Sequence, residues 1–181
     1  HVSSRRQRQM CIRDSKLGGA NLHDFHAFTP TVANIRPTSR GEISISSNDT
    51  KVNPKIKMNY LSTDEDRKVA ADGIKLIRKI VMETNEFKKY EPEEFRPGSH
   101  LNDKEEIVKA CSHYAQTIFH PVGTCKMGSD ESAVVSDKLK VHGLNKLRVI
   151  DASIMPNITS GNTNAPTIMI AEKGADMILS S

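Results

Sequence analysis

The sequence predicts an α+β fold, and three observations predict it. Two short alternating apolar segments flank a polar turn, two longer stretches carry apolar residues at helical spacing, and the chain closes in a strand–loop–helix pattern. With 181 residues, 36% hydrophobic and 27% charged, the chain is long enough for an ordinary domain with its own core and is globular in composition.

The elements follow in order. Residues from about 18 to 40 are mixed, with Phe25, Phe28 and Val32 as apolar pieces, until Pro37, Ser39 and Gly41 break the run. Ile43 and Ile45 alternate with polar neighbours, which predicts a short half-buried strand. Asn48, Asp49, Asn53 and Pro54 form a turn cluster, and Ile56, Met58 and Tyr60 alternate again, so an antiparallel pair is expected. A helix comes next. Ser62 and Glu65 have capping-box spacing, and Val69, Gly73, Ile77, Ile80 and Val81 recur on one face. Glu91 to Pro97 is charged and proline-bearing, hence loop. Asp103 with Glu106 marks another helix start, continued by Ile107, Cys111, Tyr114 and Ile118. Cys111 on that face reads as a packed core residue rather than a reactive thiol.

Beyond Ile118 the character changes. HPVGTCKMGSD, from His120 to Asp130, is rich in small residues and glycine, so the backbone must thread a close loop there. Leu147 to Ile150 reads as a short buried strand. Pro156 and the run Thr159 to Asn164 make a second such loop, Pro166 suits a first helical position, and Ile168, Ala171, Ala175 and Ile178 predict a closing helix. Strand, loop and helix in that order is a place where α/β proteins seat a cofactor.

Composition removes several function classes. The net charge of +4 comes largely from Arg5, Arg6, Arg8 and Arg13, so it is an end effect and not a basic face. Aromatics make up only 4%, with no Trp, which leaves few stacking platforms for single-stranded nucleic acid; no nucleic-acid partner is expected. No apolar run approaches the roughly 18 residues of a membrane span. Cys11, Cys111 and Cys125 form neither a disulfide framework nor a CxxC pair, and no metal site is expected from them with His113 and His120. The opening HVSSRRQRQMCIRDS resembles translated sequencing-adapter read-through, and residues 1–15 are expected to be a non-native leader.

His120 and Asn162 are the candidate catalytic pair. Each lies in a glycine-containing loop beside a regular element, where a side chain is held firmly with its tip free. A histidine can take a proton from a hydroxyl, and an asparagine amide can donate a hydrogen bond to the oxygen as negative charge develops. Taken alone, a histidine beside a proline also suits a turn.

Three ordered blocks decide between those readings. HPVGTCKMG, LRVIDASIMP and SGNTNAPTIMIAEKGAD together resemble the C-terminal signature of the glucose–methanol–choline (GMC) oxidoreductases, most closely insect glucose-dehydrogenase-like members. RPTSRGEISISS and NPKIKMNYLSTDED are similar to the opening of that C-terminal region, so the resemblance runs from about Phe25 to Ile178. It implies FAD as cofactor and oxidation of a small alcohol or sugar, with hydride passing to the flavin and then to a quinone-type acceptor or O₂. It implies His120 as base and Asn162 as its partner. Asp151 and Ala152 match the segment near the flavin ribityl and phosphate groups, and Asn164, Pro166 and Thr167 match the helix start against the flavin ring. On their own chemistry, Asp151 also suits a cap at the strand end and Asn164 a turn or helix cap.

The resemblance also sets the expected architecture: a fragment of the two-domain GMC fold. Residues 20–118 are expected in an antiparallel-sheet substrate domain, and 119–181 as the terminal strand and helix of the FAD-binding domain, with apolar surface left open. The dinucleotide fingerprint GxGxxG does not occur, so the FAD pyrophosphate grip is expected on residues outside this chain, and the chain alone is expected to be inactive. The non-enzymatic alternative is a flavoprotein-derived binding or structural module, which degenerate residues at positions 120 and 162 would favour.

Overall fold

A computed structural model of the chain describes residues 25–180; the expected leader lies outside the described residues. Among the described residues helices dominate, and the one regular sheet is a two-stranded ribbon, β1 (Glu42–Ser44) with β2 (Lys55–Lys57). The helices of the described residues are α1 (Asp64–Glu83), α2 (Asn85–Lys88), α3 (Lys104–Tyr114) and α4 (Asn164–Leu179), with a 3₁₀ turn at Ala152–Ile154. Contacts divide the chain into two units: residues 25–33 with 67–116, and residues 34–66 with 117–180.

In the first unit, α1 and α3 meet through Ala71, Ile107 and Val108, joined by Ile74, Leu101 and Cys111. Ile107 is fully closed to solvent, and burying such a side chain contributes roughly 1.5–3 kcal/mol. Asp103 caps α3 as its sequence predicts, accepting from the N–H groups of Glu105 and Glu106. The helix ends at Tyr114, one turn earlier than the spacing suggested, because Ala115 turns to extended backbone; Ile118 is outside it and exposed. Burial pushes the Cys111 thiol up from its ordinary value, in keeping with a packed and unreactive role. The loop after α2 is stapled to α1 by Arg78, whose Nε and Nη2 each lie 2.9 Å from a Glu94 carboxylate oxygen. The same guanidinium donates to the carbonyls of Leu101 and Gly98. A fork of this kind can satisfy a planar carboxylate and two carbonyls at once.

In the second unit the ribbon pairs in antiparallel register, Ile43 opposite Ile56. The pairing matches expectation and the burial does not. Ile43, Ile45, Ile56 and Met58 are all exposed, because no other element among the described residues packs on the two-stranded ribbon. The start of α1 also shifts by one residue: Thr63, not Ser62, supplies the cap, with its Oγ1 accepting from Asp66 N–H at 3.3 Å. Asp66, only 4% exposed, turns its carboxylate the other way. It accepts from Asn34 Nδ2, Thr38 N and Oγ1, and Ser39 N at 2.9–3.1 Å. Those bonds fasten the segment 34–39 to the helix start.

The core of this unit is Val135, Leu139, Ile154, Met155 and Ile170. Leu147–Ile150 is not a regular strand. It joins a meander of isolated bridges, Lys140 with Arg148 and Val135 with Val141 and Met127. Helix α4 begins at Asn164, so Pro166 is its third residue and not its first. Proline fits there as well, since the first-turn N–H groups have no partner within the helix. The buried face differs too. Ile170 and Gly174 face inward while Ile168, Ala171, Ala175 and Ile178 are exposed. The helix is apolar on nearly every side, so its period alone selects no face. A Cβ at Gly174 would fall 2.5 Å from Ile150 Cγ2, and that close approach selects the face observed.

Candidate active site

The first loop reaches His120 through Phe119, whose φ of 64° places a bulky residue in the left-handed region. From there the chain is tied down. Cys125 N–H donates to Ser153 O at 3.0 Å and Met127 N–H to Ile154 O at 2.8 Å, which seats the loop on the 3₁₀ turn. Ile154 and Met155 are buried, so the seat itself is part of the core.

The second loop carries another left-handed residue, Ser160, with φ 56°. Its hydroxyl accepts from Arg36 Nε at 2.9 Å, and Arg40 Nη2 donates to Asn157 Oδ1 at 2.6 Å. Arg40 Nη1 also donates to the carbonyls of Pro37 and Ser39, so the arginine is fixed by its own segment. A groove of about 420 Å³ runs there, lined by both arginines, Asn157 and Ser160 among others. Asp66 thus anchors a strap whose arginines hold the loop leading to Asn162.

The two loops meet at the expected pair. Asn162 Nδ2 lies 3.2 Å from His120 Nε2, across 42 positions of sequence. On the other side of the ring, His120 Nδ1 is 2.9 Å from Thr163 Oγ1. With the amide N–H facing the ring, Nε2 is the acceptor and the ring proton sits on Nδ1. A ring in this state presents a lone pair at Nε2 and an amide donor beside it. Thr163 was not singled out by sequence reasoning. Its partner is distant in the chain, and its only local signal is its place at a helix start.

The other candidates divide into two groups. Asn164, Pro166 and Thr167 form the first turn of α4 directly after Asn162 and Thr163, with Asn164 exposed and the other two half-buried. Thr167 Oγ1 donates to Thr163 O at 2.6 Å, so its proton is engaged within the helix. Asp151 and Ala152 lie at the 3₁₀ turn, where the Asp151 carboxylate accepts from Ser153 N–H at 2.7 Å. This is the capping role that its own chemistry suggested, and its exposed position leaves further acceptor capacity. Lys126 pairs with Asp130 at 3.0 Å. Hydrogen bonds from Ser132 and Lys126 lower the Asp130 carboxyl to about 2. Among the described residues no cluster of three or more metal-ligating side chains occurs, and no helix is long and apolar enough to cross a membrane.

A ring nitrogen with a lone pair, an amide donor beside it and an adjoining helix start thus stand together. Comparison with known proteins gives the family. Residues 37–171 match the C-terminal GMC oxidoreductase family model, and the chain belongs to the GMC oxidoreductase family. It is 46% identical over 160 residues to the oxygen-dependent choline dehydrogenase of Proteus mirabilis, covering 88% of this chain and 29% of the relative. Identity to the same enzyme of Acinetobacter baumannii is 45% over 160 residues, with the same shares covered. Among solved structures it is similar to pyridoxine 4-oxidase from Mesorbium loti, with TM-score 0.75 and 35% identity over 81% of this chain and 28% of that one. A variant of the formate oxidase of Aspergillus oryzae, solved to follow modification of its FAD, gives TM-score 0.74 and 32% identity over 86% of this chain and 29% of that one. The chain therefore spans 29% of the length of the first curated relatives that it matches.

The residues present fit a flavin on one structural observation. Thr163 occupies the capping position of α4 but makes no side-chain cap, and Pro166 has no N–H. The first-turn N–H groups of Asn164 and Ala165 are thus left without a capping side chain, which suits an electron-rich ring edge at the positive end of the helix.

Proposed function

We propose that this chain is the substrate-side and flavin-ring part of an FAD-dependent oxidoreductase that oxidises the CH–OH group of a small alcohol or sugar. The observation that carries the reading is the 3.2 Å approach of the Asn162 amide to His120 Nε2 from two separately braced loops. FAD is the cofactor that the family and its solved members indicate, and when bound it supplies the hydride acceptor. The rest is done by this chain's own residues. His120 takes the hydroxyl proton on Nε2. Asn162 turns its amide N–H from the ring to the substrate oxygen as charge develops on it. Asn164, Pro166 and Thr167 would hold the ring edge, and Asp151 with Ala152 would hold the ribityl and phosphate groups.

Choline-type alcohols are the leading substrate class, because the curated relatives are choline dehydrogenases. Sugars are the second class, from the resemblance to insect glucose-dehydrogenase-like members. A quinone-type oxidant or O₂ takes up the electrons, and oxygen consumption with each alcohol distinguishes them. The segment alone is proposed to hold FAD weakly and to turn over no alcohol; a flavin absorbance band co-purifying with it would overturn that.

The central test uses a full-length protein carrying this segment. His120→Ala should slow anaerobic flavin reduction by about 10²-fold or more, the scale of a lost general base. Unchanged reduction kinetics would remove His120 from the role.

A further inference from the structure

We propose that Thr163 is a positioning residue that holds His120 in its Nδ1–H tautomer and so makes Nε2 the proton acceptor. The proposal rests on the reading of His120 as base and names the group that selects its reactive nitrogen. A neutral imidazole carries one N–H, and the hydrogen bond made by one nitrogen decides what the other can do. On this ring the assignment is made from both sides. Asn162 presents an amide donor at 3.2 Å to Nε2, and Thr163 presents a hydroxyl oxygen at 2.9 Å to Nδ1.

Three features make Thr163 suited to hold rather than merely to touch. It is only 8% exposed, so water does not compete well for Nδ1–H. Its backbone is locked, because its carbonyl accepts from both Thr167 N–H at 3.0 Å and Thr167 Oγ1 at 2.6 Å. Its side chain is also in the position from which a threonine ordinarily caps a helix, yet it makes no cap bond; φ −86° and ψ −2° are helical, not the extended values of a working cap. The hydroxyl serves the histidine instead of the helix. When Nε2 gains a proton, Nδ1–H still donates to the same oxygen. The bond therefore persists through the transfer and strengthens as the ring becomes a cation.

The test compares Thr163→Val, which keeps the shape and removes the oxygen, with Thr163→Ser, which keeps the oxygen. The first readout is the ¹⁵N shift pattern of His120 in the histidine-labelled full chain, assigned by its loss in His120→Gln. Wild type and Thr163→Ser should show the Nδ1–H pattern, and Thr163→Val should move toward the Nε2–H pattern. The second readout is flavin reduction in the holoenzyme. Thr163→Val should lower its limiting rate about 10-fold with KM little changed, and Thr163→Ser should recover most of the loss. An unchanged Nδ1–H pattern in Thr163→Val would overturn the positioning role. If the pattern shifts while His120→Ala leaves flavin reduction untouched, Thr163 still sets the tautomer and it is the base reading that fails.

Discussion

Asn162 Nδ2 and His120 Nε2 stand 3.2 Å apart, although 42 residues of chain separate them and each loop is fastened by different partners. The His120 loop is held by the 3₁₀ turn through backbone bonds, and the Asn162 loop by two arginines through side chains. The pair is therefore the product of two independent braces, and each brace can be tested.

Asn162 is the more exposed member, and its amide has the simpler task. In a full-length protein, Asn162→Ala should lower kcat by about 10²-fold, the cost of one oxyanion donor. Asn162→Asp should lower it further, because it places a carboxylate where negative charge develops on the substrate oxygen. Stopped-flow flavin reduction measures both, and an Asp variant as fast as wild type would show that the amide faces elsewhere.

Asp66 should govern the acid limb of stability. Burial alone would raise its carboxyl, but hydrogen bonds from the Ser39 and Thr38 side chains and their N–H groups outweigh burial and hold it below 3.8. A folded pKa below the unfolded value means that the contribution is present above the unfolded value and is lost as pH falls through the folded one. Asp66→Ala should cost roughly 3 kcal/mol at neutral pH, through four donors left without their acceptor. Asp66→Asn should leave unfolding less dependent on pH as the solution is acidified below the ordinary carboxylate value. Urea unfolding across that range reads both effects.

Gly174→Ala should destabilise the chain by about 1–3 kcal/mol, since the new methyl would meet Ile150 Cγ2 at 2.5 Å and that branch cannot swing aside. Adding Ile150→Ala should cost less in this background than in wild type. Simple additivity in a double-mutant cycle would argue against the contact.

Arg78→Lys should cost about 1–2 kcal/mol despite keeping the charge, because an ammonium cannot span both Glu94 oxygens and the two carbonyls. Thermal unfolding checks the size. Hydrogen exchange should show the loss concentrated in residues 91–101.

How much of this could be read beforehand depends on the distance over which each feature is determined. The Asp103 cap is local, with its two donors within three residues, and the sequence shows it directly. Ribbon pairing is nearly as local, since the Asn48–Pro54 turn brings its strands together. Ribbon burial is not, for it depends on what packs above Ile43 and Ile56. The buried face of α4 was misread because Ile168 and Ile170 are equally apolar, and only the gap opposite Gly174 separates them. His120 and Asn162 became legible through the family blocks around them. Thr163 and Asp66 lie inside such blocks as well, but nothing local marks their roles, because each does its work on a side chain or backbone more than two dozen residues away.

The left-handed residues ahead of the pair place selection and stability in opposition. Phe119 and Ser160 have φ of 64° and 56°, a conformation that costs a side-chain-bearing residue about 1–2 kcal/mol. Glycine would relieve that cost at either position while widening the range of poses open to the adjoining His120 or Gly161–Asn162. A population screened for heat resistance alone would drift toward glycine at these two positions. One screened for turnover would retain the strain, and the two histories would be distinguishable from residues 119 and 160.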